Sequence, residues 1–454
     1  MTDPDPGHGS DHLARRRDST LWPFGLMPAF VLVLVNFLDG AETNILPGTL
    51  SLLQDDFGFS DTAGGALATA MAAAGLLVVL PAGYIADHYR RTRTLAIVVA
   101  LWSALSVLSA AALGFAMFAA ARFAMGAANS LDNPPASSLI ADYYPPVSRG
   151  RVFAVQRVAW SIGVGVGIAV GGAVGGALGW RAAYLVFVAP GLVVALLVGL
   201  LAEPRRGALD HVRTTGPASD REHDLVTEME LGEASPTRQG VREYLDGVRE
   251  LTRIPTARRL YLGLGVAMAG FNGMAFWLPS FLERVHDLSE AAAGAVTGGL
   301  VVVVALSGAL VGGHLGDRAA ADGGSGRLSI TGTALAGGAV LAAVAFPVPV
   351  VGPQLIVFAV GAFVLSMAIP NFAAAIAEVV PARRRGTGFS LYYFLTILGG
   401  ALGPLVIGAV SDLTGSLTAA MAVSMLPAIP GGLYVLGARH TLEADARAAM
   451  GGPG

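Results

Sequence analysis

The sequence contains no cysteine and no lysine, and all 29 of its basic residues are arginine. Without cysteine the chain has neither disulfides nor thiolate metal ligands. Without lysine it has no Walker A lysine for ATP and no Schiff-base nucleophile. An HExxH zinc motif and an Asx-rich calcium loop are also absent. We therefore expect no cofactor, no bound metal and no ATP hydrolysis on this chain.

Charge is scarce as well. Only 13% of the residues are charged, against about 25% in soluble domains, while 54% are hydrophobic and the mean hydropathy is +0.62. Apolar runs long enough to cross a bilayer, about 20 residues each, recur along the chain. This composition predicts an all-α membrane protein. Its twelve apolar segments cover approximately 22–48, 61–86, 94–113, 115–142, 151–178, 182–202, 259–282, 291–316, 327–346, 353–379, 386–412 and 416–438.

One long polar stretch separates six of these segments from the other six. Arginine is concentrated in the connections on one side of the membrane, and the positive-inside rule then places both termini in the cytoplasm. We expect a multi-pass protein of the cell membrane. Its predicted parts are a cytoplasmic tail (1–20), a six-helix bundle (21–202), a cytoplasmic loop (203–258), a second six-helix bundle (259–438) and a cytoplasmic tail (439–454).

The central loop contains apolar residues at helical spacing, including Val241, Tyr244, Val248 and Leu251, with arginine and glutamate between them. This pattern predicts an amphipathic helix. Such a helix lies either on the inner membrane surface or against the bundle.

The two halves repeat each other at a constant offset of 236 residues. Asp142 corresponds to Glu378, and Arg149 corresponds to Arg385. A duplicated six-helix unit is typical of transporters that expose a central site alternately to the two sides of the membrane.

Residues 83–93, Gly-Tyr-Ile-Ala-Asp-His-Tyr-Arg-Arg-Thr-Arg, resemble the loop 2–3 signature of the major facilitator superfamily, and the second half repeats part of it. The resemblance implies the major facilitator fold, with twelve transmembrane helices in two pseudo-symmetric six-helix halves. It also implies a charge cluster that latches one conformation. The predicted latch residues are Gly83, Asp87, Arg91, Arg149, Gly313, Asp317, Arg318 and Arg385.

Within that superfamily the chain is most similar to the Spinster group, on motifs such as Asn36-Phe-Leu-Asp39, Arg122-x3-Gly126 and Leu139-Ile-Ala-Asp142. That group is associated with lysophospholipid and sphingosine-phosphate transport, which implies a lipid-like substrate. Two positions differ. Gly40 replaces the usual arginine of helix 1, and Asn129 replaces the usual glutamate of helix 4.

Ionisable residues inside a membrane are costly and usually functional. Helix 1 carries Asn36, Asp39 and Glu42 on one stripe, and Arg122 of helix 4 lies at a similar depth. Our hypothesis is that Asp39 and Glu42 share Arg122 as their partner, so that one carboxylate can accept a proton. The alternative is a static ion pair that holds the two helices together.

The second half offers amides and aromatic rings instead of buried charge. We expect a polar headgroup to face the first half and an apolar tail the second, although aromatic residues on helices more often serve packing. The predicted substrate-binding residues are Asn36, Asp39, Arg122, Asn129, Asp132, Asn133, Asn272, Phe276, Trp277, Asn371, Tyr392 and Tyr393.

The leading functional prediction is a monomeric, proton-coupled secondary transporter of an amphipathic or lipid-like small molecule, in contact with membrane lipids and without a nucleic-acid partner. A multidrug or organic-acid transporter of the same fold is the alternative. A membrane receptor or a lipid-modifying enzyme is less favoured. Predicted helices 1, 4, 7 and 10 contain no histidine that could take part in catalysis, so we expect no enzyme.

Overall fold

The computed structural model describes residues 24–206, 238–321, 325–381 and 384–449. Within these residues there is no β-strand, and eleven helical spans are long and apolar enough to cross a membrane. A twelfth span, helix 4, is interrupted, and each of its two pieces is too short to be counted alone. The prediction of a twelve-helix all-α fold is therefore confirmed. The predicted tail 1–20 and residues 207–237 and 450–454 lie outside the described residues.

Six spans form each half of the molecule, numbered here from the N-terminus. The first half contains helix 1 (Met27–Thr43 and Ile45–Phe57), helix 2 (Asp61–His88), helix 3 (Arg91–Ala110), helix 4 (Phe115–Asn129 and Asn133–Tyr143), helix 5 (Pro146–Leu178) and helix 6 (Trp180–Leu185 and Val188–Leu200). The second half contains helix 7 (Pro255–His286), helix 8 (Glu290–Ala321), helix 9 (Gly326–Ala345), helix 10 (Val351–Val379), helix 11 (Arg385–Thr414) and helix 12 (Leu417–Met425 and Ala428–Leu436).

Two of these spans differ from the prediction because of proline. Helix 1 restarts at Ile45 and continues to Phe57, beyond the predicted end at residue 48. Helix 4 restarts at Asn133, immediately before Pro134 and Pro135. Proline lacks the backbone N–H that a continuous helix needs, but it fits the first turn of a new helix, where that N–H has no partner. Both spans therefore contain a break close to their polar residues.

Glycine allows the two halves to touch. A Cβ atom on Gly298 of helix 8 would lie 2.2 Å from the backbone oxygen of Gly165 of helix 5, and one on Gly172 would lie 2.2 Å from that of Glu290. Only glycine permits such an approach of two backbones. Helices 5 and 8 therefore form a close, glycine-lined contact between the halves.

The halves are also joined by hydrogen bonds at one end of the bundle, which we call the Asp61 end. Asp61 begins helix 2, and both of its carboxylate oxygens accept from Arg284 of helix 7, at 2.9 and 3.0 Å. Asp412 of helix 11 accepts from the backbone N–H of Asp61 and of Thr62, at 3.2 and 2.8 Å. Asp61, Arg284 and Asp412 are among the residues that line a polar cavity of about 590 Å³.

The opposite end of the bundle, where helices 3 and 9 begin, is called the Arg91 end. Its ion pairs Arg91–Asp142 and Arg327–Glu378 each stay within one half. Because bonds between the halves gather at the Asp61 end, we infer that the structure represents a state closed at that end.

The central loop contains the predicted amphipathic helix, at Arg238–Arg253. Its Leu251 is fully buried, and Glu250 pairs with Arg384 next to helix 11 at 3.0 Å. Leu245 is 59% exposed. The C-terminal part of this helix thus packs on the second half, while Leu245 points away from it.

Candidate transport site

Asp39 lies near the middle of the bundle and connects three helices. Its carboxylate accepts a hydrogen bond from Trp160 Nε1 of helix 5 at 3.1 Å and a long one from Thr43 Oγ1 at 3.5 Å. Thr43 lies one helical turn after Asp39 and therefore on the same face. Asn129 Nδ2, at the break of helix 4, donates to Thr43 Oγ1 at 2.5 Å. The predicted site residues Asp39 and Asn129 are thus brought together through Thr43.

The structure provides a reason for the glycine beside this carboxylate. A Cβ atom on Gly40 would lie 2.4 Å from the backbone oxygen of Trp160. The arginine that the Spinster group usually has at this position would need helix 5 to move away. Gly40 lets helix 5 approach closely enough for Trp160 to bond Asp39.

Glu42 and Arg122 do not meet as hypothesised. Glu42 accepts a hydrogen bond from Ser106 of helix 3, and Arg122 donates to Ser109 of the same helix at 2.8 and 3.1 Å. The guanidinium lies 4.8 Å from the ring centroid of Tyr184, and its Nη1 has no hydrogen-bond partner among the residues that the structure describes. Across the described residues Arg122 forms no ion pair with a carboxylate. In this state Glu42 and Arg122 therefore do not pair directly, and each is hydrogen-bonded to a serine of helix 3.

Three predicted substrate-binding residues of the second half lie in the core. Trp277 is fully buried and donates to the backbone oxygen of Pro404 at 2.9 Å. Asn371 is fully buried and donates to the backbone oxygens of Gly312 and Met367 at 2.8 and 2.9 Å. Phe276 packs edge-on against Trp277. In this state these residues contact neighbouring helices, and their role in substrate binding stays a prediction.

Five other predicted residues are exposed or partly buried, whereas Asp132 is only 2% exposed. Asn272 is exposed and donates to the backbone oxygen of Met268 at 3.1 Å, and Tyr393 is 56% exposed. Tyr392 is partly buried and packs edge-on against Tyr393. In the first half Asn133 is exposed and Asn36 partly buried, with its Nδ2 donating to the backbone oxygen of Leu32 at 3.2 Å.

Sequence reasoning missed Arg157. It is an exposed residue of helix 5, and its guanidinium lies 5.6 Å from the ring centroid of Trp160. Its charge interacts electrostatically with Asp39 in the first half and with Tyr392 in the second. The sequence does contain a sign of it, because Arg157 lies within the apolar segment 151–178. An arginine inside a membrane-spanning segment usually has a function.

The predicted latch residue Arg91 lies in a buried charge cluster of the first half. This arginine is fully buried and donates to Asp142 and to Glu203, the latter at 2.9 Å. It also donates to Ser138 Oγ at 2.8 Å and to the backbone oxygen of Pro204 at 2.9 Å. The contacts of Gly83 and Asp87 lie outside the described side chains.

In the second half the arginine of the corresponding cluster is Arg327, not the predicted Arg318. Arg327 pairs with Asp317 and with Glu378, both at 3.1 Å. Arg318 is exposed and forms no ion pair with any described residue. Arg327 lies 236 residues after Arg91, and Glu378 lies 236 residues after Asp142. The repeat in the sequence therefore already related the two arginines to each other.

The remaining predicted latch residues differ in their environment. Arg149 Nε donates to the backbone oxygen of Tyr144 at 2.8 Å. Arg385 is exposed at the start of helix 11, and Gly313 lies beside Pro370, with 3.9 Å from its Cβ position to the proline ring. Their roles in a latch stay predictions.

The Arg91 cluster makes stability depend on pH through Glu203. Burial raises the pKa of Glu203, but hydrogen bonds from Thr92 and Arg91 outweigh it and hold the pKa below its ordinary value of 4.5. The folded state therefore gains stability above pH 4.5 and loses it as the pH falls through the lowered value. We expect Glu203→Gln to lower the unfolding temperature at pH 7, and the difference from wild type to shrink below pH 4.5. Thermal unfolding across this pH range measures both, with exposed Glu443→Gln as the control.

Residues 32–404 match the Major Facilitator Superfamily, and the chain belongs to this superfamily of transporters. It is 23% identical over 407 residues to the cis,cis-muconate transport protein of Acinetobacter baylyi, covering 88% of this chain and 90% of that protein. It is 26% identical over 178 residues to Protein spinster of Drosophila melanogaster, covering 39% of this chain and 29% of that protein.

The fold is similar to that of a bacterial homologue of the human lysosomal transporter Spinster, solved in an inward-facing and occupied conformation. The TM-score is 0.72 at 20% identity, with 92% of this chain and 96% of the other covered. The resemblance to the Spinster group is therefore present in both sequence and fold.

Proposed function

We propose that the protein is a secondary transporter that moves an amphipathic or lipid-like small molecule across the cell membrane by alternating access, driven by protons. We place the Arg91 end in the cytoplasm, following the distribution of arginine. The observation that carries the proposal is Asp39, a carboxylate within the bundle that is held by neutral donors and lies near one accessible cation, Arg157.

The proposed substrate follows from the two walls around this carboxylate. Arg157 and Trp160 belong to the first half, whereas the second half presents Tyr392 and Tyr393. A cation beside a carboxylate suits a polar or anionic headgroup, and aromatic rings suit an apolar chain. Arg122 is fully buried in this state, so Arg157 takes the place of Arg122 as the proposed headgroup contact.

Proton coupling is proposed for Asp39 and Glu42. Both carboxylates accept hydrogen bonds from neutral side chains, and neither forms an ion pair among the described residues. A cation in direct contact would keep a carboxylate ionised, whereas neutral donors allow it to bind and release a proton. Arg122 acts on Glu42 at longer range.

Purified protein in liposomes tests this proposal. With an imposed pH gradient, wild type is expected to accumulate a radiolabelled lysophospholipid. Asp39→Asn is expected to retain exchange but to lose accumulation at least tenfold, because the amide cannot carry the proton. Asp55→Asn, an exposed acid of the same helix, is the matched control. Proton-driven accumulation by Asp39→Asn at the wild-type rate would contradict the assignment.

An organic acid is the second candidate substrate, because the exposed guanidinium of Arg157 can bind a carboxylate as well as a headgroup. The related Acinetobacter protein is a muconate transport protein. Counterflow in the same liposomes distinguishes the two, since preloaded dicarboxylate would then exchange and lysophospholipid would not.

A further inference from the structure

Asp132 lies in the interruption of helix 4, between Phe115–Asn129 and Asn133–Tyr143. The residue is only 2% exposed, and within the described part of the chain its Oδ1 atom has no hydrogen-bond partner. Across the described residues it forms no ion pair either. A buried carboxylate with an unsatisfied oxygen is costly, and it needs a ligand or a proton to compensate.

Among the described residues, the groups around Asp132 supply no cation for this purpose. Helix 1 contributes Asp39, which repels Asp132 electrostatically, and Glu42, which bonds Ser106. Helix 2 has no ionisable residue between Asp61 and Tyr84, and helix 3 has none after Arg93.

The remaining cations near helix 4 are engaged or lie elsewhere. Arg91 is held by Asp142, and Arg122 lies ten residues earlier on helix 4 beside Ser109. Helix 5 offers Arg157, whose charge acts on Asp39. Two carboxylates in a low-dielectric interior without a paired cation cannot both be ionised at low cost.

The break in helix 4 also lowers the cost of ionising Asp132. Asp132 directly precedes Asn133–Tyr143, and the backbone N–H groups at a helix N-terminus favour a negative charge. A carboxylate that is buried without a counter-ion but lies at a helix start can exist in either form. Small movements of the two helix pieces would change which form is favoured.

We propose that Asp132 is a second proton-binding residue, and that Asp132 and Asp39 together hold at least one proton in this conformation. This rests on the proposed function of proton-driven transport and adds to it a residue of the proton path. On release the O–H bond of the carboxylic acid breaks, the carboxylate keeps the electron pair, and the proton passes to water.

Infrared difference spectroscopy of the purified protein tests the assignment without a substrate. A step from neutral to alkaline pH should remove a protonated-carboxyl C=O band in wild type. Asp132→Asn should lose that band, Asp132→Glu should restore it at a shifted frequency, and Asp39→Asn should move its midpoint to lower pH because a repelling charge is gone. Asp55→Asn should leave it unchanged. A full band in Asp132→Asn would overturn the proposal.

Two further readouts separate the possible outcomes. At neutral pH Asp132→Asn should unfold at the wild-type temperature, because the amide has the shape of the neutral acid; a marked loss would mean that Asp132 is ionised and paired, which refutes the proposal. Disappearance of the band on adding sodium at constant pH would also refute it, in favour of a sodium site. If Asp132 titrates as expected but transport is not driven by protons, the proposed function fails while the proton pair stands.

Discussion

Replacement of Arg91 with alanine is expected to destabilise the protein by about 3–5 kcal/mol, the range for removing one partner of a buried ion pair. Arg91 is fully buried, and its guanidinium bonds Asp142, Glu203, Ser138 and the backbone oxygen of Pro204. Alanine would remove the charged donor that two carboxylates and the backbone oxygen of Pro204 share. The loss of a charge-assisted network therefore adds to the loss of packing.

Thermal unfolding in detergent, followed by size-exclusion chromatography, measures this effect. Arg93→Ala is the matched control, because Arg93 is exposed and lies on the same turn of helix 3. Arg327→Ala should cost less than Arg91→Ala, since the side chains of its partners Asp317 and Glu378 are 74% and 37% exposed. Equal unfolding temperatures for Arg91→Ala and Arg93→Ala would show that the buried cluster contributes nothing.

The Arg91 cluster joins parts of one half only. It ties the start of helix 3 to the end of helix 4 and to the residues after helix 6. Two halves that rock against each other need rigidity within each half and reversible contacts between them. We expect the cluster to supply the rigidity, whereas the bonds at the Asp61 end supply the reversible contact.

The number of helices and the duplication could be predicted from sequence because each rests on a long pattern. About twenty apolar residues are needed to span a bilayer, and a repeat at fixed offset survives local substitutions. Even so, the break in helix 4 was not predicted. Pro134 and Pro135 are compatible both with a kink and with a new helix start, and composition does not distinguish the two.

Contacts within the site were harder to predict, because depth in the membrane does not fix the direction in which a side chain points. Arg122 and Glu42 lie at similar depth, yet both turn to serines of helix 3. Trp277 and Asn371 bond backbone oxygens of neighbouring helices instead of lining a cavity. The packing of the helices determines these hydrogen-bond partners, and no local sequence pattern predicts that packing.

Replacement of Asp61 with asparagine is expected to shift the protein toward the state open at the Asp61 end. Asp61 accepts from Arg284 through both oxygens, from Ser411 Oγ at 2.7 Å and from Gln54 Nε2 at 2.8 Å. Arg284 and Ser411 belong to the other half, so these bonds exist only while the end is closed. Loss of a bond to a charged group costs about 1.5–3 kcal/mol. That is a change of roughly ten- to a hundredfold in the ratio of the two states, at about 1.4 kcal/mol per tenfold.

The absence of cysteine allows a direct measurement of this shift. Cysteines introduced at exposed Asp55 and Val285, one in each half, can be spin-labelled without background, and their distance distribution reports the closed and open populations. Asp61→Asn should enlarge the long-distance population. Asp56→Asn is the matched control, because Asp56 pairs at 3.0 Å with Arg181 of its own half at the same end. An unchanged distribution in Asp61→Asn, or an equal shift in Asp56→Asn, would show that the bonds between the halves do not hold this end closed.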